Sequence, residues 1–427
     1  MLTRRRFIAS ASAVPLIGAS QGAYGYTQRF TLRPERVMSD ISGVRQPLLG
    51  FNGQLPGPVI RAQQHDTLDV EVENRLDEGT IVHWHGLRLP NSMDGVNVLT
   101  QEVIPPKASF DYRFDANDAG TYWYHSHYIS YDQVSRGLFG ALIVDEVNPP
   151  DVDQDITVLL FDMLTDSDGR YSEDFPPGQF TGPGRLGNVE RVLFSERSVA
   201  QGARVRIRLL NPSIDRVYSV DIAGLEGQIV ALDGMPLTQP RSIGRMTLAP
   251  GQRCDIIADV AQTVVITDFG TEIGRLPLLG RTDLRRAPLP RLALNDMPRP
   301  SGQIVKTDLL LQGGDGGSGH DGFGTWALND VSGLPRSPLA DVRRGTALKL
   351  TLRNDTVFDH VMHLHGHHFW ELHDQTGAAG DYRDSTLVRA REQREILCVL
   401  DNPGVWMLHC HMLSHQADGM ATWLRVT

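Results

Sequence analysis

The feature that most constrains the fold is a strand-like segment that recurs three times at domain-sized spacing. The copies are DTLDVEVEN, ARVRIRLLN and TALKLTLRN, which end at Asn74, Asn211 and Asn354. Each copy alternates polar and apolar residues, as a half-buried strand does. The three asparagines stand 137 and 143 residues apart, so the repeating unit is a whole domain. A further asparagine precedes each copy, and these are Asn52, Asn188 and Asn329.

Turn signals such as Pro56-Gly57-Pro58 and Pro250-Gly251 separate the short strands, and helical periodicity is nearly absent. This pattern predicts an all-β chain built from antiparallel β-sandwiches. A chain of 427 residues has room for about three domains. The stretches VNPPDVDQD and NDMPRPSGQ resemble linkers, with boundaries near residues 148 and 297. The expected domains are therefore 26–148, 149–297 and 298–427.

The net charge of the chain limits its possible partners, and its N-terminal sequence predicts its location in the cell. The chain carries 51 acidic and 41 basic residues, and a net charge of −10 argues against nucleic-acid binding. Beyond the N-terminus it lacks an apolar run of about 20 residues, so no membrane span is expected. Three arginines, Arg4 to Arg6, precede FIASASAVPLIGA and resemble a twin-arginine export signal over residues 1–25. A periplasmic or secreted location follows. Cys254 and Cys398 lie in apolar alternating stretches and are expected to be buried free thiols.

Four His-x-His pairs occupy related places in the first and third copies of the repeat. Two of them follow Asn74 and Asn354 by nine and eleven residues, and the other two follow a glycine by five and seven. The pairs are His83/His85, His363/His365, His125/His127 and His409/His411. The middle copy has Val220 and Ile222 at the first pair's offsets, so we expect the middle domain to be a metal-free spacer.

On a strand, both members of such a pair point to the same face. Eight neutral imidazoles are too many for one ion, and they suit two or three ions with positions left open for a small ligand. Imidazole-rich sites favour copper, zinc, iron or nickel, and copper has the highest intrinsic affinity among these.

Cys410 lies between His409 and His411, so on a strand its side chain faces the opposite way. His360 precedes His363 by three residues, an odd offset that also turns it away from its neighbouring pair. Together with His415 and Met420 these residues match a blue-copper site, which has two histidines, one cysteine and a weak axial thioether. Such a strand would separate two metal centres and also connect them, which suits electron transfer.

Four segments carry a resemblance to a known family: HWHG at 83–86, WYHSH at 123–127, HVMHLHGH at 360–367 and HCHMLSHQADGM at 409–420. They resemble the copper signatures of the multicopper oxidases, in particular the three-domain, bacterial laccase-like branch. The resemblance implies three cupredoxin-like Greek-key β-sandwich domains and four copper ions. It assigns the type 2 copper to His83 and His363, and the type 1 copper to His360, Cys410, His415 and Met420. It assigns the type 3 pair to His85, His125, His127, His365, His409 and His411.

The resemblance also implies an activity, the one-electron oxidation of phenolic or similar reductants coupled to the four-electron reduction of dioxygen to water. We expect the reductant to dock against an exposed edge of His415 or His360, and the electron to pass from Cys410 to His409 and His411. Since three domains in one chain can close the cluster without a partner, we expect a monomer.

Two positions bear on proton delivery. Asp94 matches an acid that the family places near the cluster, and it is either a proton donor or an ordinary Asp-Gly turn residue. Gln416 stands where many bacterial relatives have an acid, which leaves the proton relay at that end in doubt.

Three alternatives stay open at this point. A metallo-oxidase for Cu(I), Fe(II) or Mn(II) would use the same coppers, although the lack of a methionine-rich segment weighs against a Cu(I) specialist. A copper nitrite reductase would not need eight paired histidines. A non-enzymatic cupredoxin scaffold would lack some of the ligands, and none is missing from this sequence. The glycine-rich stretch 312–324 is expected to be a flexible connector.

Overall fold

The computed structural model describes residues 25–285, 287–301, 303–314, 325–373 and 376–427. The export signal predicted for residues 1–25 lies outside the described residues apart from Gly25, and so does most of the connector 312–324. The regular secondary structure of the described residues is almost all β-strand, with three short α-helices, which confirms the all-β prediction. None of these helices is long and apolar enough to cross a membrane. Cys254 and Cys398 are buried and free, as predicted.

The strands fall into three groups along the chain. The first group is β1 (Thr27–Leu32), β2 (Pro34–Ser39), β3 (Gln46–Phe51), β4 (Ile60–Gln63), β5 (Thr67–Glu73), β6 (Val82–His85), β7 (Ser109–Asp115), β8 (Gly120–Ser126) and β9 (Phe139–Asp145). Its sheets have the strand orders β1-β5-β7, β4-β9-β8-β6 and β2-β3. A 3-10 turn at Asn91–Met93 and helix α1 (Ser130–Ser135) complete it.

The elements of the second group are β10 (Gln154–Met163), α2 (Pro177–Thr181), β11 (Val189–Phe194), β12 (Val199–Gln201), β13 (Arg204–Leu210), β14 (Tyr218–Leu232), β15 (Met235–Ser242), β16 (Met246–Leu248), β17 (Arg253–Asp268), β18 (Thr271–Leu276) and β19 (Leu278–Arg281). They form one large sheet, with the central order β11-β10-β13-β17-β14-β15, and a small β12-β19 pair.

The elements of the third group are β20 (Ile304–Gly313), β21 (Trp326–Leu328), β22 (Ala340–Val342), β23 (Thr346–Asn354), β24 (His360–Leu364), β25 (Phe369–Leu372), β26 (Ala379–Arg383), β27 (Ser385–Val388), β28 (Gln393–Leu400), β29 (Gly404–Cys410), α3 (Leu413–Ala417) and β30 (Ala421–Val426). They form two facing sheets, with the orders β21-β20-β23-β28-β25-β26 and β22-β30-β29-β24-β27. Within the described residues, no sheet joins two groups.

The sheets are mixed, whereas the sequence predicted purely antiparallel pairing. In each group a leading strand lies parallel to a later one, as in the pairs β1–β5, β10–β13 and β20–β23. Two parallel neighbours cannot be joined by a tight hairpin, so each leading strand is followed by a long connection before its partner. Alternation within single strands cannot reveal this pairing direction.

The repeated asparagines close equivalent turns at the ends of β5, β13 and β23. The side-chain Oδ1 accepts a hydrogen bond from the N–H two residues later, at 2.9 Å for Asn74, 3.0 Å for Asn211 and 2.9 Å for Asn354. Each Nδ2 donates to carbonyls of the following turn and of a later segment. Because these backbone groups would otherwise be buried without partners, the asparagine stabilises the turn that leads to the next strand.

The apolar cores show how the groups pack together. The largest buried cluster draws residues from both the first and the third group, including Trp84 and Trp406. The second group has a cluster of its own. A third cluster joins Trp123, Phe161 and Leu413, one from each group. The outer two groups therefore pack directly against each other, and the histidine pairs lie where they meet.

Candidate metal centres

The first centre lies in the third group and contains one thiol and two imidazoles. The Sγ atom of Cys410 is 3.8 Å from Nδ1 of His360 and 3.8 Å from Nδ1 of His415, and the two Nδ1 atoms are 3.1 Å apart. All three side chains are fully buried. The carbonyl of Met420 accepts a hydrogen bond of 3.0 Å from the Cys410 N–H, so the backbone of this buried methionine lies beside that of Cys410.

Strand pairing explains why these residues meet. β24 and β29 are antiparallel neighbours, with Met362 opposite Cys410 and His363 opposite His409. Alternation along both strands then directs His360 and Cys410 to one side and the histidine pairs to the other. Helix α3 begins directly after β29 and carries His415 back over Cys410.

Burial sets the protonation of this centre when no metal is bound. It raises the pKa of Cys410 to about 12, and it lowers the pKa of His415 to about 4 and that of His360 well below its usual value. The imidazoles are therefore neutral at pH 7, as metal binding requires, and the thiol must release its proton when a metal ion binds.

The second centre contains the eight histidines of the four pairs, which lie where the first and third groups meet. They form overlapping sets in which the ligand atoms lie within 4.8 Å of one another: His83, His85 and His363; His85, His125 and His411; and His127, His365 and His409. The rings are all buried, none more than 7% exposed. All three sets combine histidines from both outer groups.

The donor atoms of the second centre fit a metal cluster. Most of these rings use one nitrogen in a hydrogen bond and leave the other without any partner. The unpartnered, buried nitrogens are Nε2 of His83, His125, His127 and His363, Nδ1 of His85, and both nitrogens of His411. In addition, Nε2 of His365 lies 3.0 Å from Nε2 of His409. Leaving a buried polar atom unpaired costs about 1–3 kcal/mol, so such a concentration points to a ligand that binds there.

Burial also favours the neutral form of most of these rings. It lowers the pKa values of seven of the eight histidines: His85, His125, His127, His363, His365, His409 and His411. The neighbouring imidazoles reinforce this effect, because adjacent positive charges would repel each other. A neutral imidazole is the form that coordinates metals.

Asp94 lies against this centre and is only 1% exposed. Its Oδ2 accepts a hydrogen bond of 3.0 Å from Nδ1 of His365, and its carbonyl accepts one of 2.7 Å from Nδ1 of His83. Asp94 also ends the short 3-10 turn at Asn91–Met93. The two interpretations offered by the sequence are thus compatible, since the turn holds the carboxylate beside two rings.

The expectation of an exposed edge at His415 or His360 is wrong, because both rings are fully buried. His415 Nε2 donates to the carbonyl of Gly182 at 2.9 Å, and His360 Nε2 pairs with Thr356 Oγ1 at 2.9 Å. Gly182 follows helix α2, a segment of the second group that packs against α3. Trp326 also covers the two rings, with centroid distances of 4.9 and 4.3 Å.

Sequence reasoning missed three residues at the second centre. Asp384 is fully buried, with Oδ1 3.3 Å from Nε2 of His85. Arg253, from the second group, forms a two-fold ion pair with Asp384. Gly251 lies beneath the rings of His85 and His411. The second group therefore also contributes residues beside the histidines, and does not only hold the outer two groups together. None of the potential ligand sets among the described residues includes a residue of the second group.

Gln416 and His367 belong to none of the ligand sets found among the described residues. Gln416 is half-buried and accepts a hydrogen bond from Ser130, so it offers no acid to the second centre. His367 links the carbonyl of His365, at 3.2 Å, with the N–H of Asn402, at 3.3 Å, which makes it a support for the histidine strand.

Comparison with known proteins defines the class. Three multicopper oxidase domain families match residues 35–149, 163–269 and 310–427. The structure of Lac15 from a marine microbial metagenome is 41% identical, with a TM-score of 0.80 over 93% of this chain and 100% of that chain. A multi-copper oxidase from Pseudomonas thermotolerans is 29% identical, with a TM-score of 0.86 over 94% of this chain and 100% of that one. Multicopper oxidase MmcO of Mycobacterium tuberculosis is 28% identical over 97% of this chain and 90% of that protein.

These likenesses and the two centres define a copper-dependent oxidase with cupredoxin-like β-sandwich domains. The chain belongs to the multicopper oxidase family, and it is of the laccase-like kind. The expected fold class, the family and the oxidase activity are therefore confirmed.

Proposed function

We propose that twelve side chains hold four copper ions in two communicating centres, and that phenolic or similar small molecules supply the electrons. His360, Cys410, His415 and Met420 hold the type 1 copper. His83 and His363 hold the type 2 copper. The type 3 pair is held by His85, His125, His127, His365, His409 and His411. The observation that carries this proposal is the grouping of unpartnered ring nitrogens on one side of β29, with the thiolate centre on its other side.

When bound, copper would accept single electrons from a reductant and supply them to dioxygen, which is reduced to water. The chain's own residues connect the two centres. The Cys410 side chain and the adjoining main chain lead directly to His409 and His411, which belong to two different sets of the second centre. Asp94 orients His83 and His365, and its part as a proton donor remains a prediction.

A cavity of about 360 Å³ is the place where we expect the reductant to bind. It is lined by Met412, three residues before His415, and by Phe358, two residues before His360. Its rim carries the exposed apolar side chains of Leu186, Phe269 and Val357, as suits an aromatic ligand.

The proposal includes the domain limits 26–148, 149–297 and 298–427, and export by the twin-arginine route to the periplasm or the medium. Every described sheet lies within one of these three stretches, which supports the limits. Since both outer domains of one chain supply the second centre, a monomer suffices for activity.

The test is oxygen uptake by copper-loaded protein offered phenols, aromatic amines, Cu(I), Fe(II) or Mn(II). We expect phenols to support uptake in the wild type but not in Cys410→Ser. Cys398→Ser is the matched control, because Cys398 is another buried thiol. Its Sγ donates a hydrogen bond to the carbonyl of His368, and it belongs to none of the ligand sets found among the described residues. If Cu(I), Fe(II) or Mn(II) supports oxygen uptake and no phenol does, the metallo-oxidase is favoured. Oxygen uptake by the Cys410→Ser variant would contradict the proposal.

A further inference from the structure

A single buried aspartate contacts histidines from both outer domains. Asp384 lies between β26 and β27 and is fully buried. Its Oδ1 is 3.3 Å from Nε2 of His85, in the first domain. Its carbonyl accepts a hydrogen bond of 2.9 Å from Nδ1 of His363, in the third domain. The hydroxyl of Ser385 donates to the same Oδ1 at 2.7 Å, which fixes the carboxylate further.

The middle domain holds this carboxylate in place. Arg253 Nη1 donates to Asp384 Oδ1 at 3.0 Å and Nη2 donates to Oδ2 at 2.6 Å. Its Nε donates to the carbonyl of Thr121 in the first domain at 3.1 Å. The guanidinium is also fully buried, so its planar group is held in a single orientation. Through it, Arg253 of the middle domain contacts both outer domains.

His85 is oriented differently from its neighbours. His83, His125 and His409 each donate from Nδ1 to a backbone carbonyl, at 2.7, 2.9 and 2.8 Å, which leaves Nε2 for a metal. In His85 the relation is reversed, since Nε2 faces Asp384 and Nδ1 has no partner. A carboxylate is acceptor-only, so it holds the proton on Nε2 and leaves the lone pair on Nδ1.

We propose that Asp384, clamped by Arg253, is a positioning residue that fixes His85 with Nδ1 toward His125 and His411. This inference rests on the proposed copper-binding function. Carboxylates that support a metal-binding histidine set its tautomer and ring orientation. Here the clamp comes from the middle domain, so docking of that domain controls whether the second centre can form.

The experiment compares Asp384→Asn with Asp381→Asn. Asp381 also pairs with an arginine of the middle domain, Arg241, but this pair is partly exposed, and Asp381 belongs to none of the ligand sets found among the described residues. Anaerobic titration with Cu(I) against a chromogenic competitor measures affinity, and absorption after oxidation reports the blue centre. We expect Asp384→Asn to bind copper at the second centre at least tenfold more weakly, while the blue absorption is kept. Asp381→Asn should match the wild type.

Each outcome is decisive. If Asp384→Asn binds copper as tightly as the wild type, or if both variants lose the same copper affinity, the inference is overturned while the proposed function stays intact. A wild type that binds no copper at the second centre would overturn the proposed function itself. If Asp384→Asn does not fold, nitrogen-15 NMR of the metal-free wild type tests the inference instead, because it shows which nitrogen of each histidine carries the proton. We expect the proton of His85 on Nε2 and those of His83, His125 and His409 on Nδ1, and a proton on Nδ1 of His85 would refute the positioning role.

Discussion

Replacing Gly251 with alanine probes how closely the middle domain approaches the second centre. Gly251 lies in the turn before β17, with φ at +80°. An added Cβ would lie 2.9 Å from Cε1 of His85 and 3.2 Å from two atoms of the His411 ring. Real Cβ atoms rarely approach so closely, so the methyl group must displace both rings, or the turn must move away from them.

The expected size of the effect has two parts. The left-handed conformation costs an alanine about 1–2 kcal/mol relative to glycine. Crowding against two buried rings adds about 1–3 kcal/mol. Gly270→Ala is the matched control, because Gly270 has φ at +87° but nothing within 4 Å of an added Cβ. We therefore expect Gly251→Ala to lower the free energy of unfolding by about 2–5 kcal/mol, and Gly270→Ala by about 1–2 kcal/mol.

Urea unfolding of the copper-free proteins gives the two free energies, and metal analysis after copper loading gives the occupancy. Gly251→Ala should lose copper from the second centre and keep the blue absorption, because the methyl group does not reach Cys410. Equal stability of the two alanine variants, together with equal copper content, would refute the idea that this turn shapes the histidine site.

Three further predictions concern separate parts of the molecule. Asp94→Asn should slow oxygen reduction in single-turnover reoxidation while the blue absorption stays intact, and unchanged turnover across pH would remove Asp94 from the mechanism. Val357→Trp should raise KM for phenols severalfold with little change in kcat, because it narrows the rim of the proposed cavity; equal KM values in steady-state assays would place the reductant elsewhere. Arg206→Met should lower the free energy of unfolding by about 3–5 kcal/mol in urea titrations, since it removes the arginine that pairs with buried Glu146 and one of the two arginines that pair with buried Asp255. A loss below 1 kcal/mol would show that Glu146 finds another partner.

Much of the second centre could be predicted because its geometry is local. A His-x-His pair on a strand needs only the alternation of side chains to point both rings the same way, and His83 and His85 are an example. The repeated asparagines gave the equivalent places in the outer domains, since each closes the same turn. Cys410 could be assigned to a different face from its neighbours by the same alternation.

The residues that sequence reasoning missed depend on contacts between distant segments. Asp384 stands in DYRDST, where nothing marks it as different from other acids, and its partner Arg253 is 131 residues away. The cover over His415 comes from Gly182, in a proline- and glycine-rich stretch with no periodic pattern. Only the packing of the middle domain against the third brings these groups together, so no local signal could reveal them.

The most direct test of the central claim is the copper content of fully loaded wild type beside that of Cys410→Ser. We predict four ions per chain in the wild type and three in the variant, which should also lose the blue absorption. A wild type that holds far fewer than four, or a variant that holds as many as the wild type, would contradict the assignment of two centres to these twelve side chains.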